Sequence, residues 1–101
     1  MHWQPVTTVD RVSAGMPFPF TLGERQFAIF QVGDSYYALD NICPHAFAMM
    51  SDGFVEGDTV ECPLHGAKFH IPSGRCLAPP ADVDLKSYPV KVENNKIFVN
   101  A

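Results

Sequence analysis

Apolar and other residues alternate in short runs along most of this chain, and turn residues cut the runs apart. A period of two predicts β-strands. Val6, Val9 and Val12 do not grow into a helical pattern, and Pro17 and Pro19 break the segment after them. Phe18-Pro19-Phe20-Thr21-Leu22 reads as a half-buried edge strand, because Pro19 has no N–H to give to a ladder. Gly23-Glu24 turns the chain, and Gln26 to Val32 alternates again through Phe27, Ile29 or Phe30, and Val32. Gly33-Asp34 makes a second turn, into a returning strand from Ser35 to Leu39. Near the other end, Tyr88, Val90 and Val92 alternate with Pro89, Lys91 and Glu93. Asn94-Asn95 can take the positive φ values of a tight turn, and Ile97 and Val99 return on alternate positions. Pro89 predicts an edge or strand-end position. The expected fold is all-β, a small antiparallel sandwich or partial barrel built from both ends of the chain.

Between those ends the pattern changes. Turn signals crowd the segment from about Ile42 to Pro80: Ser51-Asp52-Gly53, Glu56-Gly57-Asp58, Pro72-Ser73-Gly74 and Pro79-Pro80. Two short strand candidates stand among them, Thr59-Val60-Glu61 and Lys68-Phe69-His70-Ile71. One domain over residues 1–101 is expected, with a base sheet at about 1–41 and 81–101 and an inserted subdomain at about 42–80. The same segment carries Cys43-Pro44-His45 and Cys62-Pro63-Leu64-His65-Gly66, each offering one thiolate and one imidazole. Soft thiolates and borderline imidazoles at close spacing are ligands for zinc, copper or iron–sulfur centres. Structural zinc is the bland reading of two cysteines and two histidines, but zinc loops separate paired ligands by two to four residues. Only Pro44 lies between Cys43 and His45, a spacing better suited to a centre with two metal positions.

Composition narrows the field further. A chain of 101 residues, 47% hydrophobic and 18% charged, is globular and has room for one modest core. No apolar run approaches the roughly 20 residues of a membrane span. Met1-His2-Trp3-Gln4-Pro5 lacks the basic and apolar regions of a secretory signal, so a cytoplasmic protein is expected. Three cysteines, an odd number, favour ligand thiolates over a disulfide framework. A net charge of −4 with seven Lys plus Arg argues against nucleic acid and fits docking to a basic patch on another protein.

Cys-x-His, the sixteen residues 46–61, and Cys-x-x-His-Gly together resemble the binding signature of Rieske [2Fe–2S] proteins. The similarity extends to Ser51-Asp52-Gly53, Phe69, Ser73-Gly74, Pro79-Pro80 and the C-terminal hairpin, so it covers essentially the whole chain. It implies that Cys43 and Cys62 bind one iron while His45 and His65 bind the other, in one cluster per chain. Each loop would then give one ligand to each iron, and the cluster would staple the loops together. Two ferric ions, two sulfides and two thiolates leave the oxidised cluster neutral, because neutral histidine adds no charge. Histidine ligation raises the potential into a range of about −150 to +300 mV.

The neighbouring residues point to the low end of that range. High-potential members of the family carry a disulfide between the loops, and here those places hold Ala48 and Leu64. They also place hydroxyls where this chain has Ala67 and Phe69, so the reduced cluster has fewer hydrogen bonds to stabilise it. The resemblance is strongest to the ferredoxin components of bacterial aromatic-ring-hydroxylating dioxygenase systems. It implies an electron carrier between an NAD(P)H-dependent flavin reductase and a terminal oxygenase, docking over the two loops, with the edges of His45 and His65 as the exit. The chain is too short for its own flavin or nicotinamide domain, and only His2 and His70 remain for a mononuclear iron, so it is not itself an enzyme. A monomer is expected. The small subunit of an assimilatory nitrite reductase and a zinc-stabilised binding module are the alternatives. Cys76 is expected as a buried small hydrophobe, His2 as an exposed terminal residue, and His70 as a strand-face residue. Met49 and Met50 are expected to cover the centre, Phe47, Phe54 and Phe69 to pack, and Pro79-Pro80 to stiffen a third loop.

Overall fold

In the computed structural model, residues 2–44, 48–64, 66–79 and 83–101 are described, and among them every sheet is antiparallel and no barrel closes. Eleven strands run in chain order: β1 Trp3–Thr8, β2 Phe18–Leu22, β3 Arg25–Val32, β4 Ser35–Asp40, β5 Phe54–Glu56, β6 Thr59–Glu61, β7 Lys68–His70, β8 Cys76–Ala78, β9 Ser87–Tyr88, β10 Val90–Glu93 and β11 Lys96–Asn100. They make three sheets, in the orders β1-β11-β10, β2-β3-β4-β9 and β5-β6-β7-β8. No described helix is long and apolar enough to cross a membrane.

The expected hairpins form where turn chemistry is explicit. Asn94 and Asn95 take φ of 52° and 65° between β10 and β11, the left-handed values a two-residue hairpin turn needs. Pro19 stands on β2, an edge strand, as its missing N–H requires. Pro89 separates β9 from β10, where the chain leaves the second sheet for the first, and its carbonyl still accepts from the Asn100 N–H at 2.9 Å.

The second sheet is buried on both faces. Ile29 of β3 and Ala38 of β4 join Val12, Ile97 and Val99 in a core shared with the first sheet. Ala28, Phe30 and Leu39 turn the other way, into a core shared with Val60, Phe69 and Ile71 of the third-sheet region. This resolves the choice between Ile29 and Phe30 in the sequence pattern: both are fully buried, on opposite faces. A strand covered on two sides reads as a continuous apolar run, and Phe27 to Phe30 is one. Full burial of Phe27, Ile29 and Phe30 contributes about 1.5–3 kcal/mol for each side chain.

Three strands exceed the sequence expectation. β1 carries Pro5 on an edge strand and shifts register between Pro5 and Thr7 in pairing with β11. β5 and β8 are three residues each and edge the third sheet.

Candidate metal centre

The second thiol motif stands on a regular hairpin. Thr59 pairs with His70, Val60 with Phe69 and Glu61 with Lys68. One further rung, from the Cys62 N–H to the Ala67 carbonyl at 2.7 Å, closes the loop. Gly66 in that loop has φ of 76°, a left-handed value that explains why glycine follows His65. The first motif has the same closure, from the Cys43 N–H to the Ala48 carbonyl at 2.9 Å. Both loops therefore span six residues from cysteine to alanine, although their motifs read Cys-x-His and Cys-x-x-His. Ala48 and Ala67 matter here as carbonyl acceptors and small buried fillers, a role that spacing alone did not reveal.

Cys43 and Cys62 are 2% and 1% exposed and belong to one packed cluster with Ala48, Met50, Ala67 and Phe69. Two thiols brought by two like loops into one apolar surround are what a shared metal centre needs, since dry walls restrict solvent access to it. Pro44 and Leu64, one or two residues further along each loop, are exposed. His45 and His65, the other two expected ligands, lie outside the described residues, as do Phe47 and Pro80. Among the described residues no group of three or more His, Cys, Asp or Glu side chains gathers as a metal site.

A third loop closes beside these two. The Leu85 N–H donates to the Gly74 carbonyl at 2.8 Å, and Asp84 Oδ1 accepts from the Cys76 N–H at 2.7 Å. Leu85 is buried in the same core as both thiols. Gly74 has φ of 77°, and a Cβ there would lie 2.2 Å from the Leu85 carbonyl oxygen. Pro79 is exposed in this loop. An open cleft of about 880 Å³ runs past Cys43 and Pro44, lined also by Arg25, Asp40, Lys86 and Tyr88. Across it the Tyr88 hydroxyl donates to Asp40 at 2.6 Å and accepts from Arg25 at 3.2 Å. Burial, and then the bond to Asp40, push the Tyr88 phenol above its usual range.

The remaining marked residues divide. Met50 and Phe69 are fully buried in the thiol-bearing core, and Met49 is half-buried. Phe54 is 67% exposed and does not pack, because as the first residue of edge strand β5 its side chain turns to solvent. Cys76 is half-buried, its Sγ 3.7 Å from the Ala78 carbonyl, so it is less enclosed than a core thiol. His2 is exposed. His70 lies on β7 with its ring between Asp58, at 3.2 Å, and Ser73, at 2.7 Å. Ser73 Oγ also accepts from the Arg75 N–H, which makes this a brace for the turn after β7.

A family model described as the Rieske [2Fe–2S] domain matches residues 2–89. The chain is 37% identical over 98 residues to the ferredoxin component of naphthalene 1,2-dioxygenase/salicylate 5-hydroxylase systems of Ralstonia sp., covering 97% of this chain and 94% of that one. Its fold superposes on Sphingomonas yanoikuyae B1 ferredoxin with a TM-score of 0.94 at 30% identity, covering 99% of both chains. It also superposes on a chain from the complex of reduced oxygenase and oxidized ferredoxin in carbazole 1,9a-dioxygenase, with a TM-score of 0.89 at 31% identity, covering 96% of this chain and 91% of that one.

Proposed function

Because the chain belongs to the Rieske [2Fe–2S] family, we propose that it is the ferredoxin of an aromatic-ring-hydroxylating dioxygenase system. The observation that carries this reading is the pair of like loops, each closing on a buried cysteine in one core. Relatives that are themselves ferredoxin components, at 37% identity and near-complete coverage, support it over the nitrite reductase small subunit, which is the weaker alternative at 28% identity. The cofactor is a Rieske-type [2Fe–2S] cluster, which when bound takes up a single electron and gives it back.

The chain's own residues divide the work. Cys43 and Cys62 hold one iron, and His45 and His65, placed by the two motifs, hold the other. Ala67 and Phe69, both fully buried, offer no hydroxyl to the centre, which keeps its potential at the low end of the range of about −150 to +300 mV. Residues 42–80 act as the cluster-binding part on a base made by 1–41 and 81–101. The exposed Pro44 and Leu64 mark the loops over which partners dock. Those partners are a flavin-dependent reductase, which loads the carrier, and a terminal oxygenase, which empties it. The carrier works as a cytoplasmic monomer, and its net charge of −4 steers it toward basic docking faces.

The test is reconstitution. NAD(P)H, a ring-hydroxylating system's flavin reductase and its oxygenase are mixed with and without this chain, and aromatic diol is measured. Product that depends on the chain, and that is lost with Cys43→Ser or Cys62→Ser, supports the reading. No electron delivery to any such oxygenase by a red-brown, fully loaded protein would refute it.

A further inference from the structure

Asn41 is the fully buried polar residue among the described positions, and it makes four hydrogen bonds. Its N–H donates to the Gln26 carbonyl at 3.0 Å, which ends the β3–β4 ladder. Its carbonyl accepts from the Met50 N–H at 2.6 Å. Its side-chain Oδ1 accepts from the Ser51 N–H at 2.7 Å, and its Nδ2 donates to Ser51 Oγ at 3.0 Å.

The two thiol loops differ in what stands beneath them. Three ladder pairs precede Cys62, on β6 and β7. Beneath Cys43 there is a single bridge, Ile42 with Met49, because the returning chain turns into a short 3-10 turn over Met50–Asp52. The planar amide of Asn41 supplies one acceptor and one donor on one group, and so stands in for the missing rung. Aspartate lacks the donor, and leucine has the volume but neither polar atom. A polar side chain without partners at this depth would be costly, so the site is kept polar by its geometry with Ser51.

We propose that Asn41 is a positioning residue for the metal centre: clamped to Ser51, it fixes the two segments that lead to Cys43 and from Ala48, and so sets where the Cys43 thiolate stands in the core it shares with Cys62. This rests on the reading of Cys43 and Cys62 as ligands. Asn41 is not one of the ligands in that reading, and it acts through the backbone that leads to Cys43.

The chain and three variants, Asn41→Leu, Ser51→Ala and Val99→Ala, are loaded with iron and sulfide. Iron release to a chelator and the EPR spectrum of the reduced protein are then recorded. Val99 sits in the core shared by the first and second sheets, so its variant loses fold stability without reaching the loop. Asn41→Leu is expected to release iron about tenfold or more faster than the parent, the scale of outer-shell losses at metal sites, with displaced g-values. Val99→Ala is expected to keep the parental spectrum and a near-parental rate. If Asn41→Leu does not fold, Ser51→Ala decides, since it removes only the acceptor of Nδ2; it is expected to move rate and spectrum in the same direction by a smaller factor. Release no faster than from Val99→Ala, with an unchanged spectrum, overturns the proposal. A Cys43→Ser chain that loads like the parent would instead bring down the ligand reading, and the positioning role with it.

Discussion

Gly53 gives a clean measure of how tightly the thiol-bearing region is packed. Its backbone, at φ −80° and ψ −176°, is extended and open to any residue, so replacement by alanine adds no conformational strain. The obstacle is space. A Cβ at Gly53 would lie 2.3 Å from the Glu61 carbonyl oxygen and 3.0 Å from that of Met50, which also accepts the Gly53 N–H. Ordinary carbon–oxygen contacts start near about 3.3 Å, so Glu61 must retreat by about 1 Å. Forcing an extra carbon into a packed site costs about 1–3 kcal/mol. In a domain of this size each kcal/mol lowers the melting temperature by about 4–8 °C, so Gly53→Ala should melt about 5–20 °C lower. Glu61 directly precedes Cys62, so the Cys62 amide, which donates to the Ala67 carbonyl, should also exchange faster with deuterium. The control is Gly15→Ala, where the new Cβ meets no atom within 4 Å. Both variants carry the same stiffening of the unfolded chain, which cancels in the comparison. Melting of Gly53→Ala within about 2 °C of Gly15→Ala would refute the close approach of Gly53 to Glu61.

Two further predictions concern chemistry. Tyr88 holds its proton more firmly when folded, because burial and the bond to Asp40 raise its phenol above 10.0, so its contribution is complete below that pH and fades as pH climbs through the folded value. Tyr88→Phe should therefore be less stable than the parent near neutrality, with a gap in urea midpoint that narrows above pH 10.0; a gap constant to pH 11 would count against the assignment. Ala67→Ser should place a hydroxyl at a fully buried position of the second loop and raise the midpoint potential. A hydrogen bond of about 0.5–1.5 kcal/mol corresponds to about 20–65 mV for one electron, readable by redox titration, and an unchanged midpoint would sink the account of the low potential.

Local chemistry made much of the fold legible. The Asn94-Asn95 hairpin and the β2–β3–β4 meander carry their own turns and alternation within a short stretch of chain. β1 does not: Pro5 weakens its strand pattern, and its partner β11 lies at the opposite end of the chain. β5 and β8 were hidden because three residues are too few for a period to emerge among dense turn signals. Phe27 to Phe30 blurred the alternation because both faces of their strand are covered, a fact of tertiary packing. At the candidate centre, the motifs singled out two loops whose thiols do share one buried core, while His45 and His65 lie outside the described residues. The contributions of Asn41, Ala48 and Ala67 are made through burial and hydrogen bonds that no motif encodes.

The middle sheet, covered on both faces, has a consequence for a chain without its cofactor. Ile29, Ala38, Ile97 and Val99 interlock on one face without any thiol among them, while Cys43 and Cys62 share only the other. The packing on the first face therefore owes nothing to iron or sulfide, whereas the packing on the second is built around the two thiols that would hold them. Loss of the cluster should thus be felt on one side of the sheet and stop there.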